Sequence, residues 1–88
     1  MTENPTNQHQ ISEPAVLDAL LRTSAEALAL PVTANDDLFD LGLDSLSALE
    51  ICATMEDQFR LECFPEDVFE HPVLTDLAHH LASRSATA

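Results

Sequence analysis

The segment FDLGLDSLSALEI, residues 39–51, has the pattern of a turn followed by the start of a helix. It holds the only glycine of the chain, Gly42, a residue that adopts backbone angles denied to others. Asp44 has a side chain suited to a helix N-cap, and Ser45 then takes the first helical position. The segment therefore predicts a turn at Gly42 and a second helix that begins at Ser45.

This second helix is expected to run from Ser45 to Phe59 or Arg60, and it has two different faces. One face is apolar and is predicted to lie in the core: Ala48, Ile51, Cys52, Met55 and Phe59. The other face mixes apolar and acidic side chains: Leu46, Leu49, Glu50, Ala53, Glu56 and Asp57. Exposed apolar residues beside carboxylates indicate a contact surface for a basic, partly apolar partner. Single exposed leucines are also ordinary, so Leu49 alone does not distinguish such a surface from a solvated face.

The chain before this helix predicts one further helix and a long connection. Ser12 is suited to cap a first helix, which should end near Leu30 because Pro31 disfavours helical geometry in the residue before it. Residues 31–44 then form a long loop between helices 1 and 2. Several of its residues are apolar, so we expect it to fold back over the bundle.

The chain after the second helix predicts two more helices. The segment FPEDVFEHP, residues 64–72, places one proline at a helix start and another at its end, which indicates a short third helix. A fourth helix is expected from Val73 or Leu74 to about Arg84, with leucines at helical spacing. The predicted fold is thus all-α: a small four-helix bundle with three longer helices and one short helix.

Length and charge limit the functions open to the protein. Its 88 residues can enclose one small core, and we expect an N-terminal tail at 1–11, one folded domain at 12–84 and a C-terminal tail at 85–88. The 16 acidic residues against three arginines give a formal charge of -13. Such a charge disfavours nucleic acid and anionic membrane surfaces as partners and favours basic proteins.

The sequence also predicts a cytoplasmic protein. It has no run of about 20 apolar residues that could span a membrane, and its first residues lack the basic and apolar segments of a signal peptide. Cys52 and Cys63 match neither a redox pair of the CxxC type nor a repeated metal-ligand spacing, so we expect reduced thiols.

Catalysis and metal binding are both disfavoured. A serine nucleophile in a GxSxG elbow needs glycines two residues before and after it, whereas Leu43 and Ser47 flank Ser45 here. His79 and His80 are adjacent on a helix, so their side chains point about 100° apart and cannot coordinate the same metal ion. We therefore expect no enzymatic activity and no metal site.

Ser45 itself has two interpretations. A D-S pair at a helix start is most often a simple cap. Alternatively, the hydroxyl is presented for covalent attachment, because the positive end of the helix dipole would stabilise a phosphate esterified there by a few tenths to about 1 kcal/mol.

The segment DLFDLGLDSLSALEI resembles the attachment motif of the acyl carrier protein family. The similarity extends from Ser12 to Ala82 and includes EDQF at the end of the second helix and DVFEHPVLTDLAHHL near the C-terminus. It implies that residues 12–84 are a carrier domain and that Ser45 bears 4'-phosphopantetheine, transferred from coenzyme A by a phosphopantetheinyl transferase. Gly42 and Asp44 then shape the attachment site.

The same resemblance maps the family's partner surface onto Asp44 and the mixed face of the second helix defined above. The partners it implies are, besides the transferase, an acyltransferase, a ketosynthase or an acyl- or aminoacyl-loading ligase with basic docking surfaces. Ser47 departs from the acid frequent at its position in the family, which argues against interchange with a fatty-acid synthase carrier.

Three functions follow from the sequence. The first is a discrete, monomeric acyl carrier that holds thioesters in polyketide or related antibiotic biosynthesis. The second is an aminoacyl or peptidyl carrier of a nonribosomal-peptide-type pathway, since the motif FEHP resembles carriers of both kinds. The third is an acidic helical adaptor without a cofactor, in which Ser45 would serve only as part of a helix start.

Overall fold

Four α-helices and one short 3₁₀ helix form the protein in a computed structural model, which describes residues 12–86. In chain order they are α1 Glu13–Leu28, the 3₁₀ helix Leu38–Leu41, α2 Ser45–Phe59, α3 Pro65–Glu70 and α4 Leu74–Ala86. α1 packs against α2 and α4, and α3 packs against α2. The described residues contain no strand, and the predicted bundle of three longer helices and one short helix is confirmed. None of these helices has the length and apolar character needed to cross a membrane.

The first helix begins as predicted and ends slightly earlier. Ser12 is its N-cap, with Oγ accepting a hydrogen bond from the Ala15 N–H at 3.2 Å. The helix ends at Leu28 rather than near Leu30, because Ala29 takes a left-handed conformation at φ 61° and donates its N–H to the Ala25 carbonyl. This left-handed residue ends the helix before Pro31 acts.

The fourth helix is longer than predicted. It starts at Leu74, one of the two expected positions, and continues to Ala86, two residues beyond the expected end at about Arg84. No proline or glycine follows Arg84, and polar composition alone does not stop a helix. Residues 85 and 86 are therefore helical rather than part of a tail, while the tail predicted at 1–11 lies outside the described residues.

The core lies between the three longer helices and is closed by the loop before α2. Phe59, predicted to belong to it, packs only partly buried at its edge, because it is the last residue of α2. Ser24 is buried in α1, and its Oγ has no hydrogen-bond partner within the described part of the chain. The buried apolar residues are Val16, Ala19, Leu20, Leu38, Leu43, Ala48, Ile51, Cys52, Met55, Leu61, Cys63, Val68, Leu74, Leu77, Ala78 and Leu81.

The connection at residues 31–44 folds back over the bundle, as expected from its apolar content. Leu38, in the 3₁₀ helix, is fully buried, and its N–H donates to the Pro72 carbonyl at 2.9 Å. The Thr75 N–H donates to the Ala34 carbonyl at 3.2 Å. These two bonds tie the loop to the start of α4 and so fix the chain direction that enters α2.

A buried carboxylate ties the short helix α3 to α4. Asp67 accepts two hydrogen bonds from Arg84, at 2.8 and 2.9 Å, and one from the Phe64 N–H at 2.9 Å. Its Oδ1 also lies 3.1 Å from His80 Nε2. The Arg84 guanidinium holds the pKa of Asp67 well below its ordinary value, because hydrogen bonds and positive charge stabilise the ionised form.

Candidate functional site

A tight turn at Gly42 delivers the chain to the start of α2. Gly42 ends the 3₁₀ helix with φ 100° and ψ 23°, in the left-handed region, and its N–H faces the carbonyls of Leu38 and Phe39. A Cβ added there would meet no atom within 4 Å, so the requirement for glycine is conformational rather than steric. The Leu43 N–H then donates to the Leu38 carbonyl at 3.0 Å, and the predicted turn is confirmed.

Asp44 caps α2, and Ser47 holds the cap in place. Asp44 Oδ1 accepts a hydrogen bond from the Ser47 N–H at 2.9 Å and another from the Ser47 hydroxyl at 2.6 Å. The side-chain bond from Ser47 is the main cause that lowers the pKa of Asp44, with the backbone bond second. The carboxylate therefore stays ionised and directed toward Ser47.

Ser45 is the first residue of α2 and is exposed. Within residues 12–86, its hydroxyl has no hydrogen-bond partner, and the neighbouring Asp44 Oδ1 accepts from the N–H and the hydroxyl of Ser47. The cap of the helix is supplied by Asp44. This arrangement is compatible with both interpretations of Ser45, as part of a helix start and as an attachment residue.

The surroundings of Ser45 fit a covalently attached phosphodiester. The oxygen stands at the N-terminus of a 15-residue helix, where unpaired N–H groups and the positive end of the dipole favour an anion. Ser45 is exposed, so a long flexible arm attached there has room to move. Ser45 can hold such a group without disturbing the cap at Asp44.

The outer face of α2 is exposed, as the helical projection predicts. Leu46 is 65% exposed and Leu49 53%, which are large fractions for apolar side chains. The other predicted members of this face are exposed too: Glu50, Ala53, Glu56 and Asp57. They form one mixed surface beside Ser45, to which we refer as the α2 face.

Ser47 has a role that sequence analysis missed. It is only 6% exposed and lies between Leu46 and Ala48, turned away from the α2 face. The spacing Asp44-x-x-Ser47 was the available signal, because an N-cap side chain bonds the residue three positions later. The acidic residue that is frequent at this position in the family would add a negative charge here, whereas Ser47 supplies a hydroxyl that donates to Asp44 and so holds the cap in place.

The three histidines within residues 12–86 have structural partners. His79 Nδ1 lies 3.2 Å from Glu13 Oε1, which joins α4 to α1, and His80 contacts Asp67. His71 stacks on His80 with ring centroids 4.2 Å apart. No group of three or more potential ligands that could hold a metal ion occurs in the described residues.

Comparison with known proteins identifies the family. The family model "phosphopantetheine attachment site" matches residues 18–81. A nonribosomal peptide synthetase of Curvularia clavata, kk1B, is 44% identical over 63 residues. The match covers 70% of this chain but, to the nearest per cent, 0% of that very long protein. The spectinabilin polyketide synthase system protein NorC of Streptomyces orinoci is 40% identical over 72 residues, covering 76% of this chain and 3% of that protein.

A solved structure agrees with this result. A domain described as "Non Ribosomal PCP domain" is similar with a TM-score of 0.66 and 36% identity, and the match covers 78% of this chain and 87% of that one. The chain spans at most a few per cent of the length of the synthetases that it matches, so their whole activities are not those of this domain. With a matching family model and a matching fold, the chain belongs to the phosphopantetheine attachment family of carrier domains, whose prosthetic group is 4'-phosphopantetheine.

Proposed function

We propose that this protein is an aminoacyl or peptidyl carrier, with 4'-phosphopantetheine attached to the Oγ of Ser45. The observation that carries the attachment site is the exposed Ser45 at the first position of α2, whose hydroxyl has no hydrogen-bond partner in the described residues while Asp44 supplies the cap. Partner enzymes supply all the chemistry, and the chain has no catalytic activity of its own. A cytoplasmic location and a monomeric state stay predictions of the sequence.

Attachment would proceed at Ser45 on a phosphopantetheinyl transferase. The Ser45 oxygen forms a bond to the phosphorus nearest the pantetheine of coenzyme A, and the phosphoanhydride bond of coenzyme A breaks. The bisphosphorylated adenosine leaves, and a base on the transferase takes the hydroxyl proton. In this step Asp44 keeps α2 capped and Gly42 keeps the serine at the outer end of the turn. Once bound, the arm supplies a thiol that carries cargo as a thioester.

The choice of a peptidyl over a polyketide carrier rests on the relatives. The matches reported above include a nonribosomal peptide synthetase at 44% identity and a domain named for nonribosomal synthesis. The polyketide carrier expected first from the sequence has weaker support, from one polyketide synthase protein at 40% identity.

Attachment is tested by intact-protein mass after incubation with coenzyme A and a broad-specificity phosphopantetheinyl transferase. We expect one phosphopantetheine on the wild type and on Ser83→Ala, which alters an exposed serine of α4, and none on Ser45→Ala. Modification of Ser45→Ala would refute the assignment. A folded, unmodified wild type would favour the cofactor-free adaptor.

The cargo is tested separately on the modified protein. We expect an adenylating ligase with ATP and amino acids to load it more readily than an acyltransferase with malonyl coenzyme A loads it. The reverse order would favour the polyketide carrier while leaving Ser45 as the attachment residue.

The α2 face is the proposed docking surface for these basic partners. Its three carboxylates lie beside exposed Leu46 and Leu49, so a partner can combine apolar contact with charge attraction. At low ionic strength, Glu50→Lys or Asp57→Lys should slow loading, whereas the matched exposed change Glu26→Lys on α1 should not. Equal rates for all three variants would place docking on another surface.

A further inference from the structure

Two cysteines that are distant in sequence meet inside the fold. Cys52 lies on the inner side of α2, and Cys63 lies in the connection between α2 and α3. Their Sγ atoms are 3.2 Å apart, and the two residues are only 4% and 2% exposed. Both are free thiols. The sequence predicted reduced cysteines but gave no sign that they are neighbours.

We propose that Cys52 and Cys63 form a redox site, which a peroxide oxidises to an intramolecular disulfide that locks the end of α2 to the following connection. The sulfurs need to approach by only about 1 Å to reach the disulfide bond length of about 2.05 Å. A small oxidant is the appropriate class, since both sulfurs are buried and a bulky disulfide reaches them only after the connection opens. This proposal does not rest on attachment at Ser45.

The contact between the thiols defines their order of reaction. The Cys63 thiol donates its hydrogen bond to Cys52 Sγ, which lowers the pKa of Cys52 and, together with burial, raises that of Cys63. Of the two thiols, Cys52 is the one whose pKa is lowered, so we expect its sulfur to attack the peroxide first.

The oxidation balances with hydrogen peroxide as the electron acceptor. The Cys52 thiolate attacks one peroxide oxygen, the O–O bond breaks and hydroxide leaves, giving a sulfenic acid at Cys52. The Cys63 sulfur then loses its proton and displaces the sulfenic hydroxyl, so that the S–O bond breaks and the S–S bond forms. The two thiols lose two electrons and two hydrogens in total, and one peroxide becomes two waters.

The disulfide would close a ring over residues 52–63. This ring contains the last two turns of α2 and Arg60, whose left-handed conformation at φ 57° ends the helix. Closing it opposes unravelling of α2 from its C-terminus. The α2 face lies on the same helix, so oxidation would stiffen the element that carries it.

The direct test uses the reduced full chain, treated with a small molar excess of hydrogen peroxide and analysed by intact mass. We expect loss of two hydrogens in a monomer, reversed by a thiol reductant, and no such loss in Cys63→Ala. An unchanged mass, a gain of oxygen without loss of two hydrogens, or a covalent dimer would each overturn the proposal.

A second measurement needs no variant. Equilibration in mixtures of reduced and oxidised glutathione gives the equilibrium constant for forming the disulfide. It is measured once in buffer, where the chain is folded (the folded constant), and once in urea that unfolds the chain (the unfolded constant). If the native fold accommodates the disulfide, the folded constant should exceed the unfolded constant about tenfold or more. A smaller constant in the folded protein would mean that the fold opposes the bond, and the proposal would fail.

Discussion

Replacing the buried carboxylate of Asp67 by an amide should be among the most destabilising isosteric changes in this protein. Asp67→Asn keeps the size of the side chain but removes its charge and puts an NH₂ group where an oxygen accepted hydrogen bonds. Arg84 and the Phe64 N–H supply three bonds of 2.8 to 2.9 Å to the two oxygens. One amide oxygen cannot accept all of them, so at least one donor loses its partner.

The size of the effect follows from the burial of the two partners. Removing one member of a buried ion pair costs about 3–5 kcal/mol. The Asp67 side chain is 9% exposed, but that of Arg84 is 30% exposed, and water reaching the guanidinium reduces the loss. We expect a decrease of about 2–3 kcal/mol in the free energy of unfolding, a large part of the about 4–13 kcal/mol typical of a chain this long.

The pH dependence of stability gives an independent signature of the same group. Because the pKa of Asp67 is lowered on folding, the unfolded state binds its proton first as the pH falls. The contribution of the Asp67 carboxylate to the free energy of unfolding is complete above the ordinary carboxyl pKa of about 3.9 and is lost progressively below it. The wild type should therefore lose more stability than Asp67→Asn between about pH 6 and about pH 3.

Urea unfolding followed by circular dichroism measures both effects. Glu70→Gln is the matched control, since it removes an exposed carboxylate from the same short helix, and it should change stability by less than about 0.5 kcal/mol. If Asp67→Asn is as stable as Glu70→Gln and retains the wild-type pH dependence, the cluster does not hold α3 to α4.

Three further local predictions can be checked by the same unfolding measurement. Ser24→Ala should stabilise the protein by about 1 kcal/mol, because it removes a buried hydroxyl without a partner in the described residues; a loss of stability would show that the hydroxyl is satisfied. Gly42→Ala should lower the free energy of unfolding by about 1–2 kcal/mol, because φ is 100° there. Ala29→Gly should raise it by up to about 1 kcal/mol, because φ is 61° at that position. Equal changes in stability for the two variants would contradict the conformational argument. Ser47→Ala should lower the free energy of unfolding by about 1 kcal/mol and raise the pKa of Asp44 toward its ordinary value, which NMR titration measures. An unchanged pKa of Asp44 would show that the Ser47 hydroxyl does not support the cap.

Local signals in the sequence account for the features that were predicted correctly. The caps at Ser12 and Asp44 and the turn at Gly42 each depend on hydrogen bonds or backbone angles within a few residues. The position of Ser45 and the exposure of the α2 face follow from these starts and from helical periodicity. Most of the candidate site is local in this sense, which is why the sequence predicts it well.

Contacts between distant segments account for what was missed. Asp67 and Arg84 are 17 positions apart, and Cys52 and Cys63 are 11 apart. Neither pair has a spacing that a single helix would bring together. The first pair meets where α3 contacts α4, and the second meets where the connection after α2 folds back against that helix. The 3₁₀ helix at Leu38–Leu41 was missed for another reason: four residues are too few to show a periodicity.

The pairing of two of the three arginines away from α2 helps a protein of charge -13 keep an acidic surface open to a partner. The third, Arg60, follows the last residue of α2. Arg84 is committed to Asp67, and Arg22 pairs with Asp18 on α1 at 3.2 Å. Across residues 12–86, none of the carboxylates of the α2 face takes part in an ion pair. A basic partner docking on this face, as proposed, would break no internal ion pair and would relieve repulsion among neighbouring acids. The scarcity of cations thus lowers the cost of docking, and it makes the encounter sensitive to salt.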